Sequence, residues 1–347
     1  MQHIIWITPG FAANEEDTKC IPPQQLLAKA LTKVPSVRLH IVSLHYPHQR
    51  AEYHWHGVDV YPCHYQGPLA KVRTWLKAYH QIRLLTKAYP KAILHSFWLN
   101  DACLLAQWVD RFRGRKHLVT LMGQDARPTN RYLRILPLKD MYKVGLSQFH
   151  VKQFLQSTGF EVDQIIPWGL PQPSIKQGAR PNHLIGIGNL IPLKQFDQFV
   201  DLVVALRKDI PDLTCLLVGE GPEKEHLESK IAASGLSNHI TLTGALPREK
   251  VLNLLAQSKV LVHTSDYESF GFVLVEALQQ GAHVVSRPVG VAPELNGVSL
   301  AQTTVEFKHA VLEALQSEQE PNLPPSFQLD STIDSYLKLY SSLQSPS

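Results

Sequence analysis

The sequence predicts an α/β protein of two doubly wound domains closed by a C-terminal helix. Three observations carry that expectation. Apolar runs of strand length alternate with helix-length amphipathic segments almost throughout, the pattern of βα units wound into parallel sheets. A proline- and glycine-rich stretch near the middle of the chain breaks regular structure. The length, 347 residues, exceeds the ~250–300 residues at which a single hydrophobic core stops growing.

Taken in order, the first half offers strands HIIWI (3–7), VRLHIVS (37–43), AILHS (92–96) and HLVTL (117–121), with helices near 22–32, 67–89 and 99–110. In the helix PLAKVRTWLKAYHQIRLLTKAY, Val72, Trp75, Leu76, Tyr79 and Ile82 share one face, ringed by Lys71, Arg73, Lys77 and Arg83. That face suits core packing, with interfacial membrane docking as the alternative. From Ile165 to Asn182 the chain carries Pro167, Pro171, Pro173 and Pro181 with Gly169 and Gly178, the composition of an interdomain linker. The second half supplies strands at 183–188, 214–219, 240–244, 259–264 and 283–286, separated by helical segments, as in a Rossmann-like unit. Beyond Pro324 and Pro325, Ile333, Tyr336, Leu337, Tyr340 and Leu343 fall on one face of a closing helix. The expected domains are 1–168, 169–330 and a helix in 331–347.

The most informative stretch is HTSDYESFGFVLVEALQQG, His263 to Gly281, a strand end, a loop and a helix. Helix-start amides near Ser269, Phe270, Gly271 and Phe272 form a cradle for a diphosphate, and Gly271 allows close approach to the backbone. Glu268 in the loop and Glu276 in the helix can address hydroxyls at opposite ends of an elongated ligand. Alternatively, Glu268 caps the helix and Glu276 pairs with a surface base.

ESFGFVLVE, followed by GAHVVSRPVGVAPEL, resembles the E-x7-E signature of retaining glycosyltransferase family 4. GIGNLIPLKQFDQFV (186–200), LLVGEGPE (216–223), ITLTGALP (240–247) and the Ala292-Pro293-Glu294 triplet follow the family order, and the resemblance covers residues 165–300. It implies two Rossmann-like domains facing across a cleft (the GT-B fold), with a C-terminal helix crossing back to the N-terminal domain. The implied activity is retaining transfer of a sugar from an NDP-sugar to an acceptor hydroxyl in polysaccharide, glycolipid or other glycoconjugate synthesis, without a metal or other cofactor. By the same resemblance Lys194 reaches the donor diphosphate, Glu276 the ribose and Glu268 the sugar. Asn189 stands where the family commonly carries an arginine, a role Arg287 or Arg127 could take. The Gly219-Glu220-Gly221 turn either lines the nucleobase or is a tight turn.

In the acceptor half, Gly10 matches the family's glycine loop, although Phe11 occupies a second glycine position. His95 of LHSFW is expected near the reacting sugar, with Phe97 replacing a second histidine. TLMGQDAR resembles T-x-H-G-x-D, with Met122 for the histidine and Asp125 and Arg127 placed on the acceptor side. These departures keep two alternatives open, a nucleotide-sugar-binding protein that has lost catalysis and a GT-B epimerase or phosphorylase.

Composition bounds the partners. The overall charge of +4 conceals 23 Lys and Arg against 11 Asp and Glu in residues 1–180, and 11 against 19 thereafter. A basic N-terminal half favours a sugar, lipid-linked or anionic acceptor, or an anionic membrane surface, while attraction between the domains gives the same signal. No helix-turn-helix, RNP or zinc-finger pattern accompanies the cations, so nucleic acid is not an expected partner. His54, His56, Cys63 and His64 sit close in sequence but lack a ligand set with metal spacing. Four scattered cysteines and an N-terminus without a signal-peptide pattern predict a cytoplasmic protein, peripheral at the inner face of the membrane if the basic half docks there.

Overall fold

The computed structural model describes residues 1–111, 117–172, 178–319 and 321–344. The linker prolines include Pro173, which lies outside the described residues. The chain divides into two compact units, residues 1–171 with 328–347, and residues 172–327. Each is built on its own largely parallel sheet.

In the first unit, strands β1 (Gln2–Gly10), β2 (Val37–Tyr46), β3 (Tyr53–Trp55), β4 (Val58–Pro62), β5 (Ile93–Phe97), β6 (His117–Thr120), β7 (Met141–Gly145) and β8 (Gln164–Ile165) lie in the order β3-β4-β2-β1-β5-β6-β7-β8. The β3–β4 pair is antiparallel and the other pairs are parallel. Helices α1 (Pro22–Leu31), α2 (Ala70–Ala88), α3 (Asp101–Asp110) and α4 (Gln148–Thr158) connect them. The second unit holds β9 (Asn182–Ile187), β10 (Cys215–Val218), β11 (Ile240–Gly244), β12 (Ser258–His263), β13 (His283–Ser286) and β14 (Val298–Leu300), all parallel, in the order β11-β10-β9-β12-β13-β14. Its helices are α5 (Phe196–Leu206), α6 (Lys224–Ala233), α7 (Arg248–Ala256), α8 (Phe272–Gln279) and α9 (Thr304–Gln316). This is the doubly wound order, in which the chain returns to the middle of the sheet after its third strand. The return opens a crevice at the carboxyl ends of β9 and β12, and in the first unit at those of β1 and β5.

The final helix, α10 (Leu329–Gln344), belongs to the first unit. Gly169 lets the chain pass beneath its start, because a Cβ there would sit 2.3 Å from the Gln328 carbonyl oxygen. Tyr336 and Tyr340 are buried, as expected, but Thr332 and Leu339 complete the buried face, and Ile333, Leu337 and Leu343 are only half-buried. Trp6 Nε1 can only donate, and it donates to the Tyr340 hydroxyl at 3.2 Å, which also meets His95 Nδ1 at 2.8 Å. His95 Nε2 hydrogen-bonds Thr120 Oγ1 at 2.8 Å, and Thr120 in turn meets Tyr336 at 3.0 Å. Every polar group in this chain of contacts is satisfied inside an apolar core.

Helix α2 departs from the expected face. Thr74, Ala78, Ile82 and Leu85 are buried, whereas Val72 and Leu76 are exposed. Small Ala78 brings the helix close to the sheet, and Thr74 Oγ1 accepts the Tyr65 amide at 3.1 Å, so the inward face is set by fit rather than by the bulkiest side chains.

Replacing Tyr340 by Phe strands two buried partners, each costing ~1–3 kcal/mol. Urea denaturation is expected to show a loss of ~2 kcal/mol or more; an unchanged midpoint would remove the network from the account of how α10 is held.

Candidate donor-binding site

The crevice of the second unit is assembled by two loops. The loop after β9 runs through Gly188, Asn189 and Leu190 into a 3-10 turn, Pro192–Lys194. The loop after β12 runs from Thr264 to Gly271. They are stitched together: Thr264 Oγ1 donates to the Lys194 carbonyl at 2.8 Å, Ser265 Oγ to that of Leu193 at 3.2 Å, and the Asp266 amide to Leu193 at 2.9 Å. These bonds bring Lys194 Nζ onto Glu268 Oε1 in an ion pair. His263, the last residue of β12, shares the same oxygen through Nε2 at 3.1 Å and is anchored by Nδ1 on Ser286 Oγ at 3.0 Å. Burial pushes the Glu268 carboxyl up, but the Lys194 charge and the His263 contact outweigh it and hold the group at about 2. It is a carboxylate at neutral pH.

Glu276, one turn inside α8, is also buried, and burial raises its pKa against the opposing charge of Arg248. Arg248, from the start of α7, holds it through Nη2 at 2.7 Å and Nε at 2.9 Å on one oxygen. The pairing with a base weighed for Glu276 is therefore present, though the pair is buried rather than superficial. No local signal ties Arg248 to Glu276 in the sequence, since they lie on different helices. His263 stood at the head of the informative stretch but carried no pattern that marked it as a partner of Glu268.

Gly271 adopts φ +83° and starts α8, so its freedom from a Cβ is used to turn the loop into the helix. Ser269 and Phe270 are buried, and Phe272 is half-buried. The following GVAPE segment supports the loop from behind: the Val291 amide donates to the Phe270 carbonyl at 2.7 Å, and a Cβ on Gly290, at φ +57°, would lie 2.4 Å from that oxygen. Gly219 and Gly221 allow the loops after β9 and β10 to touch, because a Cβ on Gly219 would fall 1.8 Å from the Gly188 carbonyl oxygen. Close backbone packing, rather than a turn alone, accounts for both.

Asn189 is exposed on the β9 loop. Arg287, considered as a substitute for the missing arginine, is instead paired with Asp266, and its Nη2 reaches Gln198 Oε1 and the Gln302 carbonyl, each at 3.3 Å. Arg127 lies in the first unit, closing the 3-10 turn Gln124–Ala126.

The residues expected around the acceptor have structural placements. His95, expected near the reacting sugar, is fully buried with both ring nitrogens bonded to Tyr340 and Thr120. Phe97 stacks on it at 4.2 Å, filling the volume a second histidine would take. Asp125 accepts the amides of Leu99 at 2.9 Å and Gly123 at 2.6 Å, clamping the loop after β6 to the one after β5. Gly10 ends β1 opposite Tyr46 with ordinary van der Waals room for a Cβ, and Phe11 points into the core edge-on to Trp55 at 4.9 Å. The histidines near Cys63 do not converge: His54 pairs with Asp59 at 2.8 Å, His56 lies 3.5 Å from Glu15, and Cys63 is core.

Comparison with known proteins bears on the second unit above all. Residues 173–318 match the family described as glycosyl transferases group 1. That match lies within the second unit. The chain is similar to the phosphatidylinositol N-acetylglucosaminyltransferase GPI3 subunit of Saccharomyces cerevisiae, 30% identical over 120 residues, 35% of this chain and 26% of the relative. It is also similar to the alpha-D-kanosaminyltransferase of Streptomyces kanamyceticus, 24% identical over 196 residues, 56% of this chain and 47% of the relative. The matches thus span about a quarter to a half of these curated relatives. Among solved structures, Anabaena HepE in complex with UDP superposes with a TM-score of 0.74 at 17% identity, covering 99% of this chain and 100% of that one. The whole chain therefore has the GT-B-like fold of two parallel-sheet α/β units. No helix among the described residues is long and apolar enough to cross a membrane.

The low pKa of Glu268 gives a signed pH test. A carboxyl depressed from 4.5 to about 2 by folding adds stability that is complete above pH 4.5 and disappears as the pH falls through 2. The stability difference between wild type and Glu268→Gln, from urea titrations, is expected to be largest above pH 4.5 and to shrink steadily towards pH 2; a pH-independent difference would contradict the ion pair.

Proposed function

We propose that the protein is a retaining, metal-independent glycosyltransferase that moves a sugar from an NDP-sugar to an acceptor hydroxyl in polysaccharide, glycolipid or other glycoconjugate synthesis. The observation that carries this reading is the Lys194–Glu268–His263 cluster at the crevice of a doubly wound sheet, beside the start of α8. Nucleotides bind such crevices at the carboxyl ends of the strands, with phosphates on helix-start amides. An arriving diphosphate competes with Glu268 for the Lys194 ammonium. When Lys194 turns to the phosphates, it offsets the charge that develops on the leaving group, and Glu268, released but still oriented by His263, accepts sugar hydroxyls. Glu276, orientated by Arg248, is assigned to the ribose hydroxyls. The complex of HepE with UDP supports uridine diphosphate as the carrier.

The assigned donor residues are Lys194, Glu268, Gly271 and Glu276, with Asn189, Ser269, Phe270 and Phe272 shaping the cradle. His95 is left out of the reaction because its nitrogens are occupied. Its burial and the unavailability of Arg287 also favour a second reading, donor binding without transfer.

Calorimetry with UDP-, GDP-, ADP- and TDP-sugars, without added metal, separates these readings when joined to an assay of NDP release. Wild type is expected to bind UDP-sugar and release UDP. Lys194→Ala is expected to slow release by ~100-fold, the usual effect of removing one group that stabilises the transition state, and Glu276→Ala to weaken donor binding. Binding without release supports the second reading, and full activity in Lys194→Ala overturns the first.

A further inference from the structure

At the carboxyl edge of the first unit's sheet lies a cavity of about 460 Å³, bounded by the end of β2 and the starts of α2 and α3. His45, His64, Lys71, Asp101, Arg131 and Tyr132 contribute to its wall. Asp101 is buried at the first position of α3, and its charge is already engaged. His45 Nε2 contacts both carboxylate oxygens, at 3.0 and 3.2 Å, and Trp75 Nε1 donates to Oδ2 at 3.0 Å. Among the described residues neither Lys71 nor Arg131 forms an ion pair with a carboxylate, although the Lys71 charge helps hold the Asp101 carboxyl below its usual range. Each instead lies over an aromatic ring, Lys71 Nζ 5.0 Å from the Trp75 ring centre and the Arg131 guanidinium 5.5 Å from that of Tyr132. Arg50 stands over Tyr65, another residue of the wall, at 5.3 Å. His64 adds a buried Nε2 with no hydrogen-bond partner.

We propose that this cavity binds a phosphate group carried by the acceptor. Two cations that make no direct ion pair line one pocket with a single carboxylate, Asp101, which leaves it net positive and suited to a dianion. A guanidinium fork and an ammonium point charge are complementary donors to phosphate oxygens. The Asp101–His45–Trp75 contacts fix the pocket floor, so the site is built before the ligand arrives. The position, at the carboxyl edge near the return from β4 to β5, is where doubly wound units take ligands. The acceptor role rests on the transferase reading; phosphate binding does not. The phosphate can come from a soluble phosphomonoester or from a lipid headgroup, and exposed Leu69, Val72 and Leu76 on and beside the first turns of α2 would meet the acyl region in the second case.

The test measures binding of glycerol 3-phosphate by calorimetry, with glycerol as control, and co-sedimentation with phosphatidylcholine vesicles with and without phosphatidic acid. The full chain is compared with Lys71→Ala/Arg131→Ala and with the charge-conserving Lys71→Arg/Arg131→Lys. Binding of glycerol 3-phosphate that falls ~10-fold or more in the alanine variant, with substantial retention in the charge-conserving one, supports the site and a soluble source. The same pattern seen only with phosphatidic acid vesicles supports it and assigns the headgroup. No binding of either probe, or binding that the alanine variant leaves intact, overturns it. UDP binding is measured on the same samples: retained in the alanine variant, it shows a folded second unit, and absent in wild type, it counts against the donor reading alone.

Discussion

Burying a carboxylate is affordable only where a cation and further hydrogen bonds meet it. Glu268 satisfies that condition through Lys194 and His263, and much of the second unit's loop chemistry serves to bring those three together. The hydroxyls of Thr264 and Ser265 tie the β12 loop to the backbone beneath Lys194. Gly290 and Val291 brace Phe270 from the other side, and Ser286 orients the histidine. The cluster stands where the strand order reverses, so the parallel topology decides its location and the side chains decide its charge. A stored ion pair of this kind keeps the lysine in place while leaving its charge available to an anion that binds more strongly.

The first unit spends comparable groups differently. His95 lies in the middle of a central strand, and Tyr340 and Thr120 take up both its ring nitrogens in a network with Trp6 and Tyr336 that holds α10. Asp125 is consumed by backbone amides of two loops. Around Asp101, by contrast, cations outnumber carboxylates in the wall of a cavity.

Much of the architecture was legible because it rests on local periodicity. Alternating apolar strands and amphipathic helices foretold both sheets, and the spacing of Tyr336 and Tyr340 foretold their burial on α10. Lys194 and Glu268 stood out as candidates because their loops carry distinctive residues in order, but their pairing with each other did not. Arg248 and His45 did not stand out, since each meets its carboxylate only after distant elements pack, and no spacing encodes that. His95 looked like a strand-end residue in sequence, but β5 runs on to Phe97 and buries it against a tyrosine that lies far along the chain. Helix α2 misled because its inward face was chosen by the small side chains Ala78 and Thr74, whereas periodicity weighs bulk.

The most direct test of the central claim is a crystal structure of the chain with UDP. The account predicts Lys194 Nζ within hydrogen-bonding distance of a diphosphate oxygen, beside the Gly271 start of α8, with Glu268 still held by His263. A diphosphate bound elsewhere, with Lys194 still paired to Glu268, would contradict it.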